Sequence, residues 1–185
     1  MRPSVVFSHS PPSPFSALVV DPIEADRTVS VLALTEAGFQ VSATDNYHEA
    51  KALLLTYPPL VLVTEVRLGA FNGLQLALRA GSMAPRITVV VTSGFEDHVL
   101  QCEAERAGAT LAMKPLTSDE LLAAVYRTAL RRLHPDDVLE PIRAPFERRH
   151  GERRQMRAVG VDLERRHSDR RRDIANLLLR ALSLS

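Results

Sequence analysis

Five side chains occupy equivalent places in the sequence pattern, each closing or directly following a short apolar run. Asp21 follows residues 17–20, Glu65 follows 60–64, Thr92 closes 87–92 with Ser93 directly after it, and Lys114 follows 110–113. Two acids, two adjacent hydroxyls and an ammonium, if gathered at one place, set charged and neutral donors against carboxylate acceptors. No complete nucleophile–base set and no glycine-rich phosphate loop accompanies them, so the expectation is a protein that is not an enzyme in its own right.

Bringing these residues together requires particular elements. Residues 17–20, 39–43, 60–64, 87–92 and 110–113 are apolar, with β-branched residues concentrated in the first, third and fourth, and read as strands. Helical patterns fill the gaps. One runs to Ala37, with Val29, Leu32 and Ala33 at helical spacing and Gly38 as its stop. Others cover 47–57, a stretch ending near Ala80 and Gly81 after a loop around 69–73, then 97–107 and 118–133, with Ser118 as N-cap and Glu120 in the first turn. Strands alternating with helices imply an α/β domain with a doubly wound parallel sheet, whose ligands bind beyond the carboxyl ends of the strands. All five side chains fall at that end.

At these residues the sequence resembles the receiver domain of two-component response regulators, from about residue 16 to 133. Val19-Val20-Asp21-Pro22 stands where the family usually reads VVDD, and residues 58–74 resemble its third strand and following loop. Val91-Thr92-Ser93 is similar to the family's hydroxyl position with its small neighbour, and Ala107-Gly108-Ala109 through Lys114-Pro115 to its GA…KP ending. The resemblance implies a five-stranded, flavodoxin-like receiver fold and phosphorelay signal transduction, in which an aspartate takes a phosphoryl group from a phosphohistidine with the help of Mg²⁺. It places Glu65 at the phosphoacceptor position, Asp21 in the acidic pocket, Thr92 as switch hydroxyl, Lys114 as pocket lysine and Leu111 at the switch-aromatic position. Mg²⁺ would be held by Asp21 and Glu65. A histidine kinase or an output protein is the implied partner.

Three departures qualify that picture. Glu65 stands where the family has aspartate, and its extra methylene moves the carboxylate by roughly 1.5 Å, the length of one C–C bond. Misplacement near 1 Å costs on the order of 100-fold in a reaction that depends on positioning. Pro22 stands at the second acidic position and offers no side-chain oxygen, so Mg²⁺ binding is expected to be weakened or lost. Glu24 is a further carboxylate within reach in sequence. Leu111 has no ring to toggle. The expectation is a pseudo-receiver, independent of ordinary aspartate phosphorylation, acting by protein–protein interaction. Within it, a Glu65–Lys114 pair either imitates the phosphorylated state or simply neutralises two charges in a retained fold.

Composition divides the chain further. Of its 185 residues, 45% are hydrophobic and 24% charged, which excludes a wholly disordered, collagen-like or disulfide-scaffold protein. The lone cysteine, Cys102, and the absence of an apolar run of roughly 18 residues suggest a cytoplasmic protein with no transmembrane segment. Residues 1–130 hold nine Lys+Arg against thirteen Asp+Glu, a net −4, whereas 131–185 hold fourteen arginines against nine acids, a net +5. The expected organisation is a Ser/Pro-rich disordered leader over 1–15, the receiver-like domain over 16–133, an Arg-rich linker over 134–172 and a short amphipathic helix over 173–183. The linker repeats ERRHGERR at 147–154 as ERRHSDRR at 164–171, with His150 and His167 as surface residues. The alternative function is an anion- or nucleic-acid-binding regulator, its arginine forks engaging phosphates while the receiver serves as scaffold. The repeats contain no aromatic residue to stack on bases.

Overall fold

The structure, a computed structural model, describes residues 15–83 and 87–133. In chain order its elements are β1 (Ser16–Val20), α1 (Glu24–Glu36), β2 (Gln40–Thr44), α2 (Tyr47–Thr56), β3 (Val61–Glu65), β4 (Arg67–Leu68) and β5 (Phe71–Asn72). They continue with α3 (Leu74–Met83), β6 (Thr88–Ser93), α4 (His98–Arg106), β7 (Thr110–Met113) and α5 (Ser118–Leu133). Five strands form one parallel sheet in the order β2-β1-β3-β6-β7, and β4 with β5 forms a small antiparallel hairpin. The chain leaves β1 toward β2 on one side and returns to β3 on the other. The crevice at the carboxyl ends of β1 and β3 is therefore the topological switch point.

Side-chain alternation builds a core on each face of the sheet. Leu18, Val20, Leu62, Val89 and Val91 pack under α2, α3 and α4 with Leu54, Leu76, Ala77 and Leu100. Ala17, Val19, Val61, Val63 and Val90 pack under α1 and α5 with Leu34, Leu121 and Val125. Every residue of β3 and β6 is buried, as both-face coverage demands.

Helix ends follow local chemistry. Asn46 caps α2 by accepting from the backbone N–H groups of His48 and Glu49, and Asp97 caps α4 by accepting from those of Val99 and Leu100. Gly38, at φ 92°, ends α1 in the left-handed region that favours glycine. The cap of α5 is Thr117 rather than the expected Ser118. Thr117 Oγ1 accepts from Glu120 N at 3.3 Å, and Glu120 Oε2 accepts from Thr117 N at 2.8 Å, a reciprocal capping box. The Thr117 N–H above all, and the Thr117 hydroxyl, which also donates to Glu120 Oε2 at 2.8 Å, lower the pKa of Glu120 below the ordinary carboxylate value.

Several boundaries move by a residue or two: β2 begins at Gln40, and α3 continues through Gly81 to Met83. Glu65 and Ser93 are the last residues of their strands instead of lying beyond them. The expected loop at 69–73 contains β5 and the turn that joins it to β4. The leader apart from Phe15, the 134–172 linker with its repeat, and the 173–183 helix lie outside the described residues.

Candidate functional site

Parallel registry brings the expected residues together. Glu65 on β3 is the direct partner of Thr92 on β6. Asp21 extends the ladder of β1, its N–H donating to Thr44 O at 3.1 Å, and Lys114 extends that of β7, its N–H donating to Ser93 O at 2.8 Å. The Lys114–Pro115 peptide bond is cis. Asp21, Glu65 and Thr92 are all buried.

The Lys114 ammonium is the centre of the cluster. Its Nζ lies 2.5 Å from Asp21 Oδ2, 2.6 Å from Glu65 Oε2 and 3.0 Å from Asp26 Oδ2. Burial pulls the lysine pKa down, but hydrogen bonds to Asp21, Glu65 and Asp26, with the charge of Glu65, outweigh it and hold the pKa well above the ordinary lysine value. The remaining oxygens are also engaged. Asp21 Oδ1 accepts from Ile23 N at 2.9 Å, the Asp21 carbonyl accepts from Arg27 Nη1 at 2.6 Å, and Glu65 Oε1 accepts from Arg67 N at 3.3 Å. Thr92 Oγ1 lies 3.4 Å from Glu65 Oε2, long for an O–H···O bond.

Two further residues that the sequence singled out lie outside this cluster. Leu111 is half-buried and packs against the core under α2, α3 and α4. Glu24 is exposed, and it is Asp26, also in the first turn of α1, that reaches the ammonium. Asp26 had no motif to announce it. Gly73 is another contributor that spacing alone did not single out. A Cβ built there would sit 2.0 Å from Glu65 O and 2.7 Å from Thr64 Oγ1, so only glycine lets the hairpin's exit press against the end of β3. Its N–H donates to Val66 O at 2.7 Å. Nearby, the Arg67 guanidinium stacks over Phe95, 4.2 Å from the ring centre, and Ser93 Oγ accepts from Phe95 N at 3.0 Å.

Chemically the arrangement is a charge clamp: one ammonium draws together the ends of β1, β3 and β7 and the start of α1. Pro22 presents no side-chain oxygen to it. Among the described residues, no group of three or more His, Cys, Asp or Glu side chains is arranged to hold a metal ion. Among them also, no helix is long and apolar enough to cross a membrane.

Comparison with known proteins agrees with this geometry. The sequence profile of the response regulator receiver domain matches residues 17–126. The DNA-binding transcriptional regulator NtrC of Klebsiella pneumoniae is 28% identical over 131 residues, covering 70% of this chain and 27% of that protein. The transcriptional regulatory protein FixJ of Bradyrhizobium diazoefficiens is 28% identical over 120 residues, covering 63% of this chain and 57% of that protein. The chain thus spans less than two thirds of the length of these relatives. Among solved structures, a response regulator from Thermotoga maritima superposes with a TM-score of 0.54 at 28% identity, covering 61% of this chain and 95% of that one. A CheY-like receiver domain protein from Methanospirillum hungatei, at 19% identity, shares the fold with a TM-score of 0.58, covering 63% of this chain and 94% of that one.

Proposed function

This chain belongs to the response regulator receiver domain family, and from that premise we propose that it is a pseudo-receiver: a signalling module whose site is held by its own side chains instead of being switched by aspartate phosphorylation. The observation that carries this reading is the position of Glu65 Oε2, 2.6 Å from Lys114 Nζ and 3.4 Å from Thr92 Oγ1. A single carboxylate oxygen faces both the pocket lysine and the switch hydroxyl, and so puts negative charge where a phosphoryl group on a shorter aspartate would put it.

Phosphoryl transfer needs a carboxylate oxygen free to attack and positive charge to stabilise the transferring group. Here Oε2 is committed to Lys114 and Oε1 to the Arg67 N–H. Mg²⁺, when bound at such a site, neutralises the transferring oxygens. The donor set does not fit it, because Pro22 supplies no oxygen and the reachable carboxylates are drawn onto Lys114. Leu111, packed against the core, supplies no aromatic rotamer to toggle. The protein then works in the cytoplasm by a standing surface, built from β7 and α5, that engages a histidine kinase or an output protein. It carries out no catalysis of its own.

The test is incubation of the full chain with acetyl phosphate and Mg²⁺, read by intact mass. The wild-type protein is expected to stay unlabelled, and the double variant Glu65→Asp with Pro22→Asp to gain one phosphoryl group. Stoichiometric labelling of wild-type Glu65 would overturn the reading. The alternative, in which the arginine-rich 134–172 segment binds an anionic partner, rests on the fourteen arginines of 131–185. Deleting residues 140–185 separates the two, since unchanged partner binding removes the tail from the account.

A further inference from the structure

An ammonium has three N–H donors, and Lys114 finds three different carboxylates for them. The acceptors come from separate elements: Asp21 from the end of β1, Glu65 from the end of β3, and Asp26 from the first turn of α1. Sequence order would have put the third carboxylate at position 22, where proline has none to give. The helix supplies it four residues later. Within that same turn the two acids diverge: Glu24 is exposed, and Asp26 is half-buried over the pocket. The Lys114 side chain is only 11% exposed, so the point on which the oxygens converge is largely closed to water. Of the oxygens 2.5, 2.6 and 3.0 Å from that point, those of Asp21 and Glu65 stand at Ca²⁺ bond lengths of 2.3–2.6 Å, that of Asp26 stands beyond them, and none stands at the 2.0–2.1 Å of Mg²⁺.

We infer that Asp26 replaces the carboxylate missing at position 22, and that the Lys114 ammonium is a built-in cation occupying the pocket in place of a divalent metal. The inference rests on the pseudo-receiver reading and adds a specific residue and a specific occupant to it. The ammonium offsets one of the three carboxylate charges and fills the point on which they converge, so a divalent cation can enter only where the lysine is absent.

Calorimetric titration of the full chain with CaCl₂ and MgCl₂ tests this. The wild-type protein is expected to show no saturable binding of either ion at millimolar concentration. Lys114→Met removes the charge at similar length, and should bind Ca²⁺ at least about tenfold more tightly than the wild-type protein does. Adding Asp26→Asn to that variant should weaken Ca²⁺ by about tenfold again, the loss expected for one charged ligand. Wild-type binding as tight as that of Lys114→Met, or a double variant as tight as the single one, overturns the inference.

If Lys114→Met does not fold, as judged by far-UV circular dichroism, Asp26→Asn with the lysine retained carries the test. Exchange of the Lys114 Nζ protons with water, followed by ¹⁵N NMR, should then quicken by about tenfold and return toward the wild-type rate in Asp26→Glu. Unchanged exchange overturns the inference. Failure of Ca²⁺ binding in a folded Lys114→Met, with the wild-type protein still unlabelled by acetyl phosphate, removes this inference alone. Labelled wild-type protein removes the reading beneath it.

Discussion

Gly73→Ala is the most exacting perturbation available, because it adds one methyl group at a place where the structure has no room for it. The new Cβ would lie 2.0 Å from Glu65 O, 2.7 Å from Thr64 Oγ1 and 3.0 Å from the Glu65 carbonyl carbon. Real Cβ atoms essentially never come closer than 3.0 Å to such neighbours, so the hairpin and the end of β3 must separate by about 1 Å. Neither obstacle can give way cheaply. One is the backbone of a fully buried strand, and the other is a threonine with no exposed surface. The cost belongs at the upper end of overpacking, about 3 kcal/mol. For a domain of this size that is a fall in melting temperature of roughly 10 °C, measurable by circular dichroism.

Two other glycines make the comparison strict. Gly38→Ala meets nothing within 4 Å but must keep φ 92°, and should cost about 1–2 kcal/mol through backbone strain alone. Gly94→Ala meets neither obstacle and should melt with the wild-type protein. A Gly73→Ala protein melting within about 2 °C of wild type would refute the reasoning, since it would mean that the contact at Glu65 yields without strain.

Other expectations follow from the clamp and the caps. Glu65→Gln keeps the length of the side chain and removes its charge while Lys114 retains Asp21 and Asp26, so stability should fall by about 1–3 kcal/mol in urea unfolding at neutral pH. Because the folded pKa of Lys114 lies above the ordinary value of about 10.4, its contribution is complete below that pH and is lost as pH rises through the raised folded value. The wild-type protein should therefore lose stability above about pH 10.4 more steeply than Lys114→Met, and parallel alkaline profiles would contradict the pairing. Thr117→Ala should lower the melting temperature by a few degrees, roughly the loss of one N-cap, while Ser118→Ala changes it less.

The sheet was legible because its strands are short, apolar and separated by helical patterns, a combination that admits few topologies. The positions of Asp21, Glu65, Thr92 and Lys114 followed directly, since parallel strands place their carboxyl ends together. Asp26 was not legible. Its inward direction depends on the rotational phase of α1, and the N-cap of that helix, Ile23, has no side-chain cap to mark where the phase begins. The β4–β5 hairpin was hidden for a different reason: strands of two residues are too short to show alternation. Thr117 could have been found. Thr-x-x-Glu is the signature of a capping box, and it points one residue before the serine that composition favoured.

The Asp21–Lys114 pair joins residues 93 positions apart, so closing it encloses every element from α1 to β7 in one loop. Contacts of that separation are entropically costly to make early, and three strand ends and a helix must already be in place before the ammonium can reach all its acceptors. The clamp should accordingly form after the folding barrier and act as a latch on the way out. In stopped-flow measurements, Asp26→Asn and Glu65→Gln should speed unfolding and leave refolding nearly unchanged. A refolding rate that fell in proportion to the lost stability would place the clamp in the folding nucleus instead.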